Sequence, residues 1–372
     1  MKELPTPKKS IQSLFKNMVL LFDGEKYTHV DVVYQFVFTD IENGFPMYIR
    51  FSNGTAEFHE GLNDRPSVVI RTPSNVWLDI SGGFRNPFWA MLTKKFIVQG
   101  SLSHLRTLPM LLTKKIETPR SLTFSTKWTN PSRALVLIGN PRKKNGLTGF
   151  YLEAFLDGMR KAGVQTEEIY LYDKKINHCL GCFACWTKTP GVCVQKDDQA
   201  ELLEKLDTAD MIVYALPLYY NSLPGLVKDH FDRQLPLHYP YLEKAAGLVR
   251  HPRRMSIQQS MVLFSICGFP EVEQFEPLVK TFEAYTRQEN IPFAANVLLP
   301  GAMELYFNPT KRSLLLKKLE HLRSAGEQII TQGRVQKGTL KAISKVAHRG
   351  NWLDGANMYW HQETAAGHAG VL

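Results

Sequence analysis

The chain has 372 residues, with 45 lysines and arginines against 35 aspartates and glutamates, a formal net charge of +10 and a pI near 9.2. That length exceeds one ordinary domain, so more than one hydrophobic core is expected. A composition of 44% hydrophobic and 22% charged residues is that of a globular protein and excludes a disordered or fibrous chain. The positive charge is spread along the chain with no basic stripe interleaved with aromatics, so nucleic acid is not expected as a partner. The densest run, Arg250-His-Pro-Arg-Arg254, reads as a solvated basic rim.

The first residues, Met1-Lys-Glu-Leu-Pro-Thr-Pro-Lys-Lys9, contain no apolar signal region, and no segment approaches the roughly 18 apolar residues of a membrane span. A cytoplasmic protein without a membrane span is expected. Five cysteines, four of them within fifteen positions, would make an odd disulfide scaffold for so long a chain. A metal or redox role in a reducing compartment fits them better.

Strand signals open the chain. Val30 to Thr39 alternates loosely, and Met47 to Phe51 and Thr55 to His59 flank Asn53-Gly54 as in a hairpin. Ser67 to Thr72 adds a further strand. Helical pieces follow at Pro73–Ile80 and Asn86–Leu92, then a strand at Lys94–Gly100 and a helix at Ser101–Leu112. This is an α+β pattern, with a sheet and helices on one side. Its ending, Pro73-Ser-Asn-Val-Trp-Leu-Asp-Ile80 with Asn86-Pro-Phe-Trp-Ala-Met-Leu-Thr-Lys-Lys-Phe-Ile-Val-Gln-Gly-Ser-Leu102, resembles the sterol carrier protein type 2 domain over about residues 30–112. Thr93 stands where that family's Gly-Lys pair would begin. The resemblance implies a lipid-binding tunnel for a sterol, fatty acyl or similar apolar ligand. Read as residues alone, Trp77, Phe88, Trp89, Phe96 and Met110 are core side chains, because tunnel walls and cores use the same types. The domain is taken as residues 1–113, with 114–132 as a linker rich in Lys, Arg, Thr, Ser and Pro.

From Arg133 the sequence changes character. The apolar run Ala134-Leu-Val-Leu-Ile138 empties into the loop Gly139-Asn-Pro-Arg-Lys-Lys-Asn-Gly-Leu-Thr148. After it, Leu147, Tyr151, Ala154, Phe155, Gly158 and Ala162 fall at helical spacing. Free backbone N–H groups at a helix start, with Arg142 and the Thr148 hydroxyl nearby, make a phosphate site. An ordinary strand-to-helix turn with solvated basic residues competes with that reading, since neither a P-loop nor a Gly-x-Gly-x-x-Gly fingerprint is present. Further strand candidates at Glu168–Tyr172, Met211–Leu216, Met261–Cys267 and Phe293–Leu299 are separated by segments long enough for crossover helices. The alternation predicts a doubly wound parallel sheet, in which the loops after the first, third and fourth strands face one site at the switch point.

Those loops carry a resemblance. Gly139–Thr148, Leu216-Pro-Leu-Tyr-Tyr-Asn-Ser-Leu-Pro-Gly225 with Lys228, Asp232 and Arg233, and Cys267-Gly-Phe-Pro270 are similar to flavodoxin-like FMN reductases, over about residues 133–332. The resemblance implies a flavodoxin-like α/β domain that binds FMN and takes hydride from NADH or NADPH. Asn140, Arg142, Asn145 and Thr148 would hold the FMN phosphate. Pro217, Leu218, Tyr219, Tyr220, Asn221 and Ser222, with Cys267, Gly268 and Phe269, would border the isoalloxazine ring. The family usually begins its phosphate loop with Gly-Ser-Pro-Arg and places Asn before the last hydroxyl residue, where this chain has Asn140 and Leu147. No side-chain acid or base is named as catalytic, because the cofactor carries the chemistry.

Between the second strand and the next helix, Cys179, Cys182, Cys185 and Cys193 follow the spacing C-x2-C-x2-C-x7-C. Three closely spaced thiols converge on one point and a fourth, after Pro190-Gly191, can complete a thiolate set. The run resembles the cysteine motif of iron–sulfur flavoproteins, which implies a 4Fe-4S cluster beside FMN. A structural zinc and a set of unmetallated thiols lining the flavin pocket are the alternatives. Cys267 reads as a packed thiol. The tail, 333–372, has helical readings at Leu340–Val346 and Asn357-Met-Tyr-Trp-His-Gln362, whose aromatics should dock on the domain or on a second subunit. The residues from Thr364 read as disordered.

The expected function is FMN-dependent electron transfer from NAD(P)H or a ferredoxin-like donor to an acceptor such as a quinone, in a homo-oligomer. A lipid carrier whose flavodoxin-like half is a docking module is the alternative.

Overall fold

A computed structural model of the chain describes residues 6–120, 128, 130–245, 247–254, 257–346 and 352–365. It divides into two compact units, Met1–Thr118 and Pro119–Leu372. Most of the segment between Arg120 and Asn130 lies outside the described residues; of the chain end read as disordered from Thr364, Thr364 and Ala365 are the last two residues of a helix and the rest also lies outside them. Among the described residues no helix is long and apolar enough to cross a membrane.

The first unit starts with a helix that the sequence reading missed, α1 (Pro7–Leu20). Thr6 caps it by accepting the Lys9 N–H at 3.4 Å, Pro7 occupies its first turn, and Ile11, Phe15 and Met18 form its buried stripe. Next come β1 (Asp31–Phe38), β2 (Pro46–Ser52), β3 (Thr55–Glu60), β4 (Val68–Thr72), α2 (Ser74–Ser81), α3 (Pro87–Leu92), β5 (Ile97–Gly100) and α4 (Leu102–Leu111). The sheet order is β3-β2-β1-β4-β5, with β1 and β4 parallel and the other pairs antiparallel. Asn53 (φ 51°) and Gly54 (φ 75°) close the β2–β3 hairpin with both central residues left-handed, as a type I′ turn requires. The central strand β1 is nearly all buried, so its one amide must be satisfied internally. Gln35 donates to the Met47 and Gly61 carbonyls at 2.9 and 3.2 Å and accepts the Asn63 N–H at 2.8 Å.

Phe15, Phe36 and Trp77 pack in series in this core, each neighbouring pair of ring centroids 4.8 Å apart. The reading of all five aromatic and Met positions as core fails at three of them. Trp77 and Phe96 are buried, whereas Phe88, Trp89 and Met110 are 62%, 64% and 57% exposed. Helix α3 is too short to bury both faces. Ala90 is its buried residue, and the side chains beside it point outward.

The second unit contains β6 (Arg133–Ile138), α5 (Leu147–Lys161), β7 (Gln165–Tyr170), α6 (Ala184–Thr187), α7 (Gln199–Thr208), β8 (Met211–Pro217), α8 (Gly225–Asp232), β9 (Glu243–Ala245), β10 (Leu248–Arg250), β11 (Ser260–Ile266), α9 (Glu276–Glu289), β12 (Phe293–Leu299), α10 (Ala302–Phe307), α11 (Arg312–Gln332), α12 (Lys337–Ser344) and α13 (Trp352–Ala365). Strands β12-β11-β8-β6-β7 form one parallel sheet in that order, the flavodoxin-like arrangement. One apolar layer lies between the sheet and α5, α10, α11 and α12, and another between the sheet and α7 and α9. Helices α5 and α11 approach closely through two glycines. A Cβ on Gly158 would overlap the Arg323 carbonyl, and one on Gly326 the Phe155 carbonyl.

Strand β7 ends at Tyr170, short of the expected Tyr172, because it is an edge strand whose buried residue is Ile169, and Leu171–Asp173 turns away. The short β9–β10 ribbon was not foreseen. The basic run before β11 is not a solvated rim at Arg250 and Arg253. Arg250 pairs with Glu243 at 2.9 Å and Arg253 with Glu289 at 3.0 Å, all four side chains mostly buried, and Glu289 also meets His238 at 3.0 Å. Burial would raise the Glu289 carboxyl, yet the His238 hydrogen bond and the neighbouring cationic charges hold it below the usual carboxylate range.

Candidate functional site

Four loops leave the same edge of the second sheet. The phosphate-type loop follows β6, the cysteine loop follows β7, 218–224 follows β8 and 267–271 follows β11. They start side by side because the ladder continues into them. The Gly139 N–H donates to Ala215 at 2.8 Å, that of Leu218 to Ile266 at 2.9 Å, and that of Cys267 to Leu299 at 3.1 Å.

In the first loop both ends of the Asn140 amide are used internally. Its Nδ2 donates to the Lys143 carbonyl at 2.9 Å and its Oδ1 accepts the Arg142 N–H at 3.1 Å. Asn140 therefore shapes the turn. Lys143 takes the left-handed conformation at φ 53° and pairs with Asp173, which turns its charge aside. Thr148 is buried in the first turn of α5, while Arg142 and Asn145 are exposed at the mouth. The loop is packed tightly, since a Cβ on Gly146 would strike the Asn140 amide and the Gly146 N–H donates to the Lys143 carbonyl at 3.3 Å.

The loop after β8 folds back on itself. Tyr219 and Ser222 form a two-residue bridge around Tyr220 (φ 45°) and Asn221 (φ 59°). Two consecutive non-glycine residues in the left-handed region carry strain, which clusters at ligand sites. The Asn221 amide secures the turn by donating to Gln274 at 3.1 Å, and Tyr220 stands fully exposed at the tip. After β11, Cys267 Sγ donates to the Phe269 carbonyl at 3.3 Å. Burial pushes this thiol up to about 11, so it stays protonated, while Phe269 is 56% exposed.

The cysteine loop is held at both ends by one buried ion pair. Arg233, at the end of α8, donates to both Asp197 oxygens at 2.9 Å and to the Asn177 carbonyl at 2.8 Å. Asp197 also accepts the Asn177 N–H at 2.9 Å. Residue 177 precedes the first cysteine and 197 follows the last, so this pair closes the loop. Arg233 Nε is buried without a hydrogen-bond partner, and the Cys193 thiol is among the groups that act on the guanidinium. Burial raises the Cys185 thiol, and Cys193, Cys182 and Cys179 add to the effect; Cys185 is buried, Cys193 half-buried, and Cys179 and Cys182 are exposed. Among the described residues no three His, Cys, Asp or Glu side chains gather as tightly as a single metal ion needs. His178 turns from the thiols to Asp229, at 2.7 Å. The sequence reading missed Asp197; its one signal was an acidic pair just before a helix.

With the geometry in place, residues 132–282 match the family described as NADPH-dependent FMN reductase. An iron-sulfur flavoprotein of Archaeoglobus fulgidus is 36% identical over 140 residues, covering 37% of this chain and 57% of its own. Another, from Methanocaldococcus jannaschii, is 35% identical over 119 residues, covering 32% and 60%. The chain thus spans a little over half the length of these relatives. Among solved structures, an FMN-dependent NADH-azoreductase from Bacillus anthracis in complex with FMN aligns with a TM-score of 0.41 at 15% identity, covering 54% of this chain and 100% of that one. The second unit is a flavodoxin-like α/β domain, and the stretch that carries its site is similar to FMN reductases.

Proposed function

We propose that the chain is an FMN-dependent oxidoreductase, passing electrons from NAD(P)H or a ferredoxin-like donor to an apolar acceptor. The observation that carries the reading is the gathering of the loops after β6, β8 and β11 at one edge of a flavodoxin-like sheet. FMN, when bound, supplies the hydride and electron chemistry. The residues present suit it. The N–H groups of the first turn of α5, the buried Thr148 hydroxyl and Arg142 would hold the phosphate, with Asn140 keeping the turn in shape and Asn145 at the rim. The strained turn Tyr219–Ser222, with Pro217 and Leu218 leading into it, and Cys267, Gly268 and Phe269 would border the ring and exclude water from it. Cys267, kept neutral, would place no charge there.

The cysteine set suits an iron–sulfur cluster better than zinc. Four thiols without a carboxylate or imidazole form a soft donor set, and a polynuclear cluster spreads its thiolates over separate irons instead of crowding them on one ion. The buried guanidinium beside Cys193 would stabilise the negative charge of such a centre. Cys179, Cys182, Cys185 and Cys193 would be its ligands.

A second reading concerns the first unit. Phe84, Phe88, Trp89 and Leu92 are all more than half exposed on one short stretch, which fits contact with a lipid or other apolar ligand and supports the sterol-carrier-like assignment.

The test is an ultraviolet–visible spectrum of protein purified without oxygen, with flavin and iron measured on the same sample. Flavin bands with a broad shoulder bleached by dithionite, and about four irons per chain, are expected. Flavin without iron would remove the cluster. A chain that takes up no FMN on reconstitution would end the oxidoreductase reading and leave the lipid-binding one.

A further inference from the structure

A cavity of about 810 Å³ lies on the second unit between the loop after β11, helix α10 and the terminal helix α13. Its apolar walls are Phe269, Met303, Phe307, Trp352, Tyr359 and Trp360. The terminal helix is docked there through Phe307 and Tyr359, whose rings stack with centroids 5.8 Å apart. The charge of Arg142, on the phosphate-type loop, also acts on Tyr359. Two polar atoms on the cavity's lining residues are buried with no hydrogen-bond partner, the Tyr359 hydroxyl and Glu304 Oε2. Such orphans are disfavoured unless a ligand or water meets them. The other Glu304 oxygen is held by Lys311, the one cation among the cavity's described lining residues.

We propose that this cavity binds the electron acceptor, a planar conjugated dione of the quinone class, and that α13 forms its outer wall. The inference rests on the FMN reading above, since Gly268 and Phe269 are shared between the cavity and the ring-bordering loop. Its volume lies in the range of small-molecule sites, and its apolar aromatic walls suit a flat ring. The two orphan atoms match both states of such a ligand. The Tyr359 hydroxyl donates to a quinone carbonyl, and the free Glu304 oxygen accepts from the hydroxyl that replaces it on reduction. In the overall reaction NADPH supplies a hydride and solvent a proton, and the quinone leaves as a hydroquinone. A dinucleotide phosphate is not the occupant, because Lys311 is already engaged by Glu304.

The test uses the full-length, FMN-loaded chain with NADPH and two acceptors. One is duroquinone, whose fully substituted ring does not add to the free thiols. The other is ferricyanide, which needs no apolar pocket. Ala356→Trp fills the cavity from α13, and the quinone KM is expected to rise by about tenfold or more, with FMN affinity and ferricyanide turnover unchanged. Tyr359→Phe removes one hydrogen bond and should raise it by about fivefold. An unchanged quinone KM in Ala356→Trp, or a parallel loss with ferricyanide, overturns the proposal. If the chain takes up no FMN, equilibrium dialysis of duroquinone against the flavin-free protein separates the two questions. Binding lost in Ala356→Trp upholds the cavity without the flavin, and binding that is absent or equal in both proteins rejects it.

Discussion

The ion pair that closes the cysteine loop can be broken and rebuilt. Arg233 and Asp197 side chains are 1% and 0% exposed, so Arg233→Met leaves a carboxylate buried without its cation. Removing one partner of a buried pair costs about 3–5 kcal/mol. The N–H groups of Asn177 and Gln199, at 2.9 and 3.3 Å, still solvate Asp197, which puts the cost near the lower end. For a unit of this size, about 3 kcal/mol corresponds to a fall in melting temperature of roughly 6–12 °C. Calorimetry of the full-length chain reads this as a shift of the second unit's transition. The double variant Arg233→Met with Asp197→Leu replaces both charges by apolar groups and should recover most of the loss. The pH dependence follows from the same contacts. Burial alone would raise the Asp197 carboxyl, but the Arg233 hydrogen bonds and the Asn177 N–H outweigh it and hold the group below the usual carboxylate range. Its contribution is therefore complete above the ordinary carboxylate pKa and is lost as pH falls through the depressed value. Arg233→Met should flatten that acid limb. A melting temperature within a degree of the parent, or a double variant worse than the single, would refute the role given to the pair.

Other positions give independent tests. Gly158→Ala places a methyl group against the Arg323 backbone, so α5 and α11 must separate; a loss of about 2 kcal/mol or more is expected in urea unfolding, and a neutral result would mean that the helices slide apart freely. His230 is fully buried between Tyr214, at 3.2 Å, and Gln199, at 3.0 Å, and burial lowers its pKa to about 3. The unfolded chain binds that proton near pH 6.5 and the folded one does not, so stability should fall by about 1.4 kcal/mol per pH unit from there down towards pH 3. His230→Gln keeps both hydrogen-bonding ends and should remove that slope, and an unchanged slope would assign it to other groups.

What the sequence disclosed and what it withheld follow one physical division. Strands β6, β8 and β11 are buried on both faces, so each appears as an unbroken apolar run whose loop can be read next to it. Strand β7, at the sheet edge, buries little, and its start was placed three residues late and its end two. Helix α1 begins with polar residues around a proline; only its Thr6 cap and the spacing of Ile11, Phe15 and Met18 marked it, and the first lies in a stretch read only for its want of an apolar signal region. Charges were the least readable features. Arg250 and Arg253 looked solvated because their partners, Glu243 and Glu289, are supplied by the β9–β10 ribbon and the end of α9. Arg233 stood out as part of a local motif, yet its partner lies 36 positions earlier. The cavity behind Phe269 is the extreme case, since its walls come from a loop near residue 268 and a helix beginning at Trp352. Local chemistry writes the loops that meet a ligand into neighbouring residues. The partner that neutralises a buried charge, or the wall that faces a ring, is set only when the chain has folded. The Tyr359 hydroxyl in the cavity, buried with no hydrogen-bond partner, is a place where folding has set a need that the described residues do not meet.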